Sequence, residues 1–166
     1  MLINSTIVSI VFSLIIIGII ASIFFKRILW GVLAVIPLTS AILINFGFMG
    51  YFGIELSHVT AILSSIIIGV GVDFAVHYIA QFRRLSRTIQ KNELSRDVVD
   101  DVGYPIILDA ASNMGFGALL FSAFVPIQYI GGLMVFAMVS TSLGTLTVLA
   151  ALAELLKEKL IEREIQ

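Results

Sequence analysis

Asp73 and His77 stand four residues apart in the stretch GVGVDFAVH, residues 69–77, where every other side chain is apolar or absent. On a helix that spacing stacks both groups on one face, one turn apart, and Ser65 and Gly69 continue the same face. A carboxylate and an imidazole so arranged can relay a proton between themselves or to a neighbouring helix. Asp109 and Asn113 repeat the spacing in a later stretch, and Ser140, Thr141, Ser142 and Thr145 gather in a third. Each group also has a plainer use. A buried aspartate can tie helices together, a histidine can pack as a hydrogen-bonded ring, and hydroxyls commonly bond their own helix backbone.

Other chemistries find no support in the chain. There is no cysteine, which removes disulfides, thiolate nucleophiles and cysteine metal sites. His58 and His77 lie almost a full helix apart, too far for one metal site, and GVGVDF lacks the third glycine of a dinucleotide motif. No nucleophile, base and acid form a set. The expectation is a protein that is not an enzyme, with no cofactor and no metal.

The elements that must position these residues follow from composition. Of 166 residues, 59% are hydrophobic and 13% charged, against about 45–50% and about 25% for an average soluble domain. Mean hydropathy is +1.09. Continuous apolar runs of some twenty residues, each able to cross a ~30 Å hydrocarbon core, predict an all-α integral membrane domain of five transmembrane helices. The expected spans are 5–25, 29–48, 59–82, 105–124 and 127–153, with a charged linker at 83–103 and a charged tail at 154–166. The first run is too long for a signal-peptide core and is read as a retained span. A net charge of −1 gives no case for nucleic acid.

All 10 basic residues fall in three places: Lys26 and Arg27, the linker from Arg83 to Arg96, and the tail from Lys157 to Arg163. Five spans put those places on one side. The positive-inside rule then sets the N-terminus outside and the C-terminus inside a cytoplasmic membrane. Within the linker, Ser95 is a candidate helix start and Gly103-Tyr104-Pro105 a stop, giving a short surface helix edged by Val98, Val99 and Val102.

Depth makes the polar residues notable. At about 1.5 Å per residue Asp73 sits roughly 15 Å from Arg83, near the bilayer centre, and Asn113 roughly 13 Å in. The Ser140–Ser142 triplet falls about 20 Å below the start of its span, so Asp73, Asn113 and the hydroxyls are expected to converge at one level. A central aspartate costs about 2.5–3.5 kcal/mol, so Asp73 should face protein or water. A proton moved inward is worth about 2.3 kcal/mol per 100 mV, enough to bias a two-state bundle. Gly69, Gly71 and Gly117 are small enough to let helices approach.

The stretches AILSSIIIGVGVDFAVHYIAQFRR and DAASNMGFGALLFSAFVPIQYIGGLMVFAMVSTSLGTLTVL resemble successive helices of a transmembrane repeat in the resistance-nodulation-division superfamily, in particular its MMPL-type exporters. The unit is related to sterol-sensing domains and to membrane components of Sec protein export. The resemblance covers helices two to six of one repeat, half of such a permease bundle. It implies proton-driven export of a lipid or other hydrophobic substrate, with Asp73, His77 and Asn113 in the relay and Asp109 and the hydroxyls in support. Phe74 stands where many relatives carry tyrosine, which removes a hydroxyl from that path. The relatives' first helix, extracytoplasmic domain and second repeat have no counterpart here. The expectation is a fragment or one half of a split transporter, completed by a second copy or a second chain. The alternatives are a sterol-sensing-like lipid-binding regulatory domain and a Sec-type accessory; the histidine four residues after the aspartate argues against the last.

Overall fold

The computed structural model describes residues 2–87 and 94–162. They form a helical bundle, with no strand among them. In order come α1 (Leu2–Phe24), α2 (Ile28–Tyr51), α3 (His58–Leu85), α4 (Leu94–Asn113), a 3-10 stretch (Met114–Phe121), α5 (Val125–Gly144), a π turn (Thr145–Leu149), α6 (Ala150–Leu155) and α7 (Lys157–Glu162). Five of the resulting rods are long and apolar enough to cross a membrane: Ile3–Phe24, Ile28–Tyr51, Thr60–Leu85, Leu94–Phe121 and Val125–Leu155.

Periodicity decides which faces meet. In α3, Phe74, Ala75, Tyr78, Ile79 and Phe82 are buried, the one-turn spacing of a helix stripe. In α4 the stripe is Leu94, Val98, Val102, Ile106 and Ala110, and in α2 it is Trp30, Leu33, Ala34, Leu38, Ala41 and Ile42. Such stripes need no hydrophobic drive in lipid; they hold by close packing and by hydrogen bonds across helices. Asn45 supplies one, its Nδ2 donating to the Leu133 carbonyl at 3.2 Å and tying α2 to α5. Phe48 stacks on Phe136 between the same helices, with ring centroids 4.1 Å apart.

α1 is apolar on all sides, and only 11% of its most apolar window is buried. It leans on α2 through Gly31, where any Cβ would run into the Gly18 carbonyl and the Ser22 hydroxyl. The 3-10 stretch after α4 packs on α5 through Gly131, whose Cβ would lie 2.9 Å from that of Leu119 and 3.0 Å from the Leu120 amide nitrogen.

Helix α4 does not stop at Gly103-Tyr104-Pro105. It runs from Leu94 through Pro105 to Asn113, so residues 94–103 lengthen the fourth rod and form no separate surface helix. The reason lies in the stripe. Val98 and Val102 continue the buried row of Ile106 and Ala110 without a break, and that packing holds the helix through a proline that breaks its hydrogen-bond ladder.

The three basic places meet at one end of the bundle. Arg27 Nη1 donates to the Leu160 carbonyl at 3.3 Å, and the Arg83 guanidinium sits 5.6 Å above the Phe25 ring. Lys157 pairs with Glu154. The loops at the opposite end, around 52–57 and 122–126, contain neither Lys nor Arg.

Candidate functional site

The polar residues of the spans divide into an outward and an inward set. Asp73 and His77 share the exposed face of α3, opposite wholly buried Phe74 and Tyr78. Asp109 is exposed on α4, and the Asn113 side-chain amide turns back to it, donating to its carbonyl at 3.0 Å and to its carboxylate at 3.2 Å. Gly69 lies on the exposed face with Asp73, and a Cβ there would meet nothing within 4 Å among the described residues.

The inward set sits on α5 and the π turn. Ser140, Thr141 and Ser142 donate to the carbonyls of Phe136, Ala137 and Val139 at 2.8, 2.7 and 3.1 Å. Thr141 is fully buried against Gly71, whose Cβ would fall 2.8 Å from Thr141 Cγ2 and 2.6 Å from Leu38 Cδ2. That contact explains why Asp73, Asn113 and the hydroxyls do not converge. Two residues along a helix rotate a side chain by about 200°, so the register that brings Gly71 to Thr141 turns Asp73 away from it. Gly71 and Gly117, the latter against Val135 Cγ2 at 3.2 Å, both occupy close contacts; Gly69 does not.

Two backbone irregularities face each other beside that contact. Pro37 interrupts α2 and removes the amide that would bond the Leu33 carbonyl. Its own carbonyl lies 3.9 Å from the Cβ position of Gly144, the residue before the π turn. Thr145, at the head of that turn, is fully buried with no hydrogen-bond partner for its hydroxyl among the described residues. Near the basic end, Ser95 of α4 lies against both Tyr78 of α3 and Glu154 of α6. Glu154 thus belongs to the bundle, giving one carboxylate oxygen to Lys157 while the other is buried.

The largest feature with the character of a ligand site is apolar. At the end of α1 and α2 remote from the basic turn, Ile3, Ile7 and Ile10 face Leu43, Phe46 and Met49 across a groove of about 510 Å³, closed over by Ile54 and Leu56. Thr6 contributes its one side-chain hydroxyl. The size lies within the roughly 300–1,000 Å³ of small-molecule sites. Gly31 explains its position: the helices touch where two glycines meet, and farther along large branched side chains hold a space open between them. A further groove of about 460 Å³ continues along the same pair past Val11 to Thr39 and Ser40.

Sequence reasoning centred on charge passed over this groove, because its residues are ordinary membrane residues in type and spacing. The available signal was Gly18 and Gly31, one on each of two neighbouring spans. The sequence model of a family described as the sterol-sensing domain of SREBP cleavage-activation matches residues 23–156. No curated protein and no solved structure shows a significant match.

Proposed function

The chain belongs to the sterol-sensing domain family, and from that premise we propose that it is a membrane module that binds an apolar lipid of sterol-like shape between α1 and α2. The carrying observation is the groove of about 510 Å³, walled by isoleucine, leucine, phenylalanine and methionine and offering one threonine hydroxyl. A rigid ring system loses little conformational freedom on entering such a site, and a single hydroxyl would orient it. The module sits in a cytoplasmic membrane with its basic end inside, as the distribution of Lys and Arg supports.

Photolabelling tests this reading. A photoactivatable sterol incorporated into membranes containing the full chain should label α1 and the outer half of α2, and Leu43→Trp should cut that labelling about tenfold by filling the groove. Labelling spread evenly over all lipid-facing helices, and unaltered by Leu43→Trp, would contradict it.

A second reading has its own support in Asp73, His77, Asp109 and Asn113, which occupy surfaces that the described residues leave open. Carboxylates at such depth are costly against hydrocarbon, so a partner or a water-filled path should cover them. In this reading the module is one half of a proton-driven lipid exporter of the resistance-nodulation-division type, completed by a second copy or another chain across α3 and α4. Asp73→Asn should then abolish proton-dependent transport by the assembled system while the chain still inserts. Unchanged transport would defeat the relay.

A further inference from the structure

The segment 54–57 joining α2 to α3 is extended, and its alternate residues enter two different cavities. Ile54 and Leu56 roof the apolar groove. Gly53, Glu55 and Ser57 turn the other way and, with Thr60, Pro126 and Tyr129, line a separate cavity of about 370 Å³. Extended backbone sends successive side chains to opposite faces, so one short segment serves both. Its course is fixed at each end. Gly53 takes a φ of +65 to leave α2, a conformation that glycine adopts without strain. Ser57 and Thr60 cap α3 reciprocally, the Thr60 amide donating to Ser57 Oγ at 3.2 Å and the Ser57 amide to Thr60 Oγ1 at 2.8 Å.

The chemistry of the walls selects the ligand. An anion needs free N–H donors, yet those of the bordering helix starts are largely engaged. Thr60 donates to Ser57 Oγ, Ala61 to the Ser57 carbonyl, and Ile127 and Gln128 to the Phe124 carbonyl; Pro126 has no N–H. The wall instead offers the Glu55 carboxylate, the Tyr129 ring and two hydroxyls. No Lys or Arg occurs in the loops of this end to neutralise Glu55 internally. We infer that this cavity binds an ammonium group, carried by a lipid headgroup or a free amine, with Glu55 as counter-charge and the Tyr129 ring as cation–π face. The site is independent of lipid binding in the apolar groove, with which it shares only the wall of segment 54–57.

The test uses the full chain in nanodiscs of phosphatidylglycerol and phosphatidylethanolamine in equal parts. Native mass spectrometry counts retained lipid, and the melting temperature is followed in pure phosphatidylglycerol with and without ethanolamine. Retention of phosphatidylethanolamine over phosphatidylglycerol assigns the site to a headgroup; a rise in melting temperature with ethanolamine, without that retention, assigns it to free amines. In either case Glu55→Gln lowers the effect about tenfold, as loss of a charged hydrogen-bond partner should. Tyr129→Leu weakens it, and the groove-filling Leu43→Trp leaves it intact. Equal retention of the two lipids with no response to ethanolamine overturns the proposal, as does an effect that Glu55→Gln does not change.

Discussion

Gly31 and Asp73 show how differently two residues inside apolar helices can be used. Gly31 is defined by its contact: with the Gly18 backbone behind it, a methyl group has nowhere to go. Gly31→Ala should therefore destabilise the chain by about 1–3 kcal/mol through overpacking, read as a lowered melting temperature in detergent with the single, buried Trp30 as reporter. Gly69→Ala, at a position with no neighbour within 4 Å, is the matched control and should leave it unchanged. Asp73 is defined by the absence of a contact. Its type and spacing were readable as a carboxylate near mid-bilayer one turn from an imidazole. The direction it faces was not, because the Gly71 contact with Thr141 sets the rotation of α3 and depends on residues 70 positions apart in the chain. Asn113 was likewise readable as polar, but its nearest acceptor, Asp109 on its own helix, claims it first.

At the scale of elements, five membrane-crossing helices were legible from apolar run length alone, since that signal is local. The irregular ends were not. The continuation of α4 through Pro105, the 3-10 stretch from Met114 and the π turn from Thr145 all follow from packing between helices. The π turn gives a sharp test. The Thr145 hydroxyl is buried without a partner among the described residues, so Thr145→Val replaces a desolvated hydroxyl by a methyl of similar shape. The melting temperature should hold or rise. A fall of several degrees would show that the hydroxyl has a bond in the folded chain, with the Leu33 carbonyl freed by Pro37 as the first acceptor to examine. By contrast Asn45→Leu, which deletes the bond from α2 to the Leu133 carbonyl, should cost about 1 kcal/mol, near the average of interhelical hydrogen bonds in membranes.

Across the whole molecule, burial is uneven. α2, α3 and α5 form the packed centre, α1 is an apolar flank, and α3 with α4 presents an open face bearing Asp73, His77 and Asp109. If a second copy covers that face, Gly69→Cys, in a chain free of other cysteines, should form a disulfide-linked dimer on mild oxidation in membranes. An outward control such as Ile20→Cys on α1 should not; equal cross-linking at both positions would point to random collision. The lipid-binding reading rests on the opposite flank and is tested apart from any assembly. Its most direct measurement is equilibrium binding of a labelled sterol to the purified chain in nanodiscs. The groove predicts saturable binding approaching one sterol per chain, lost in Leu43→Trp and retained in Asp73→Asn. Binding that rises linearly with sterol content and is the same in both variants would be partition into the bilayer, and would contradict it.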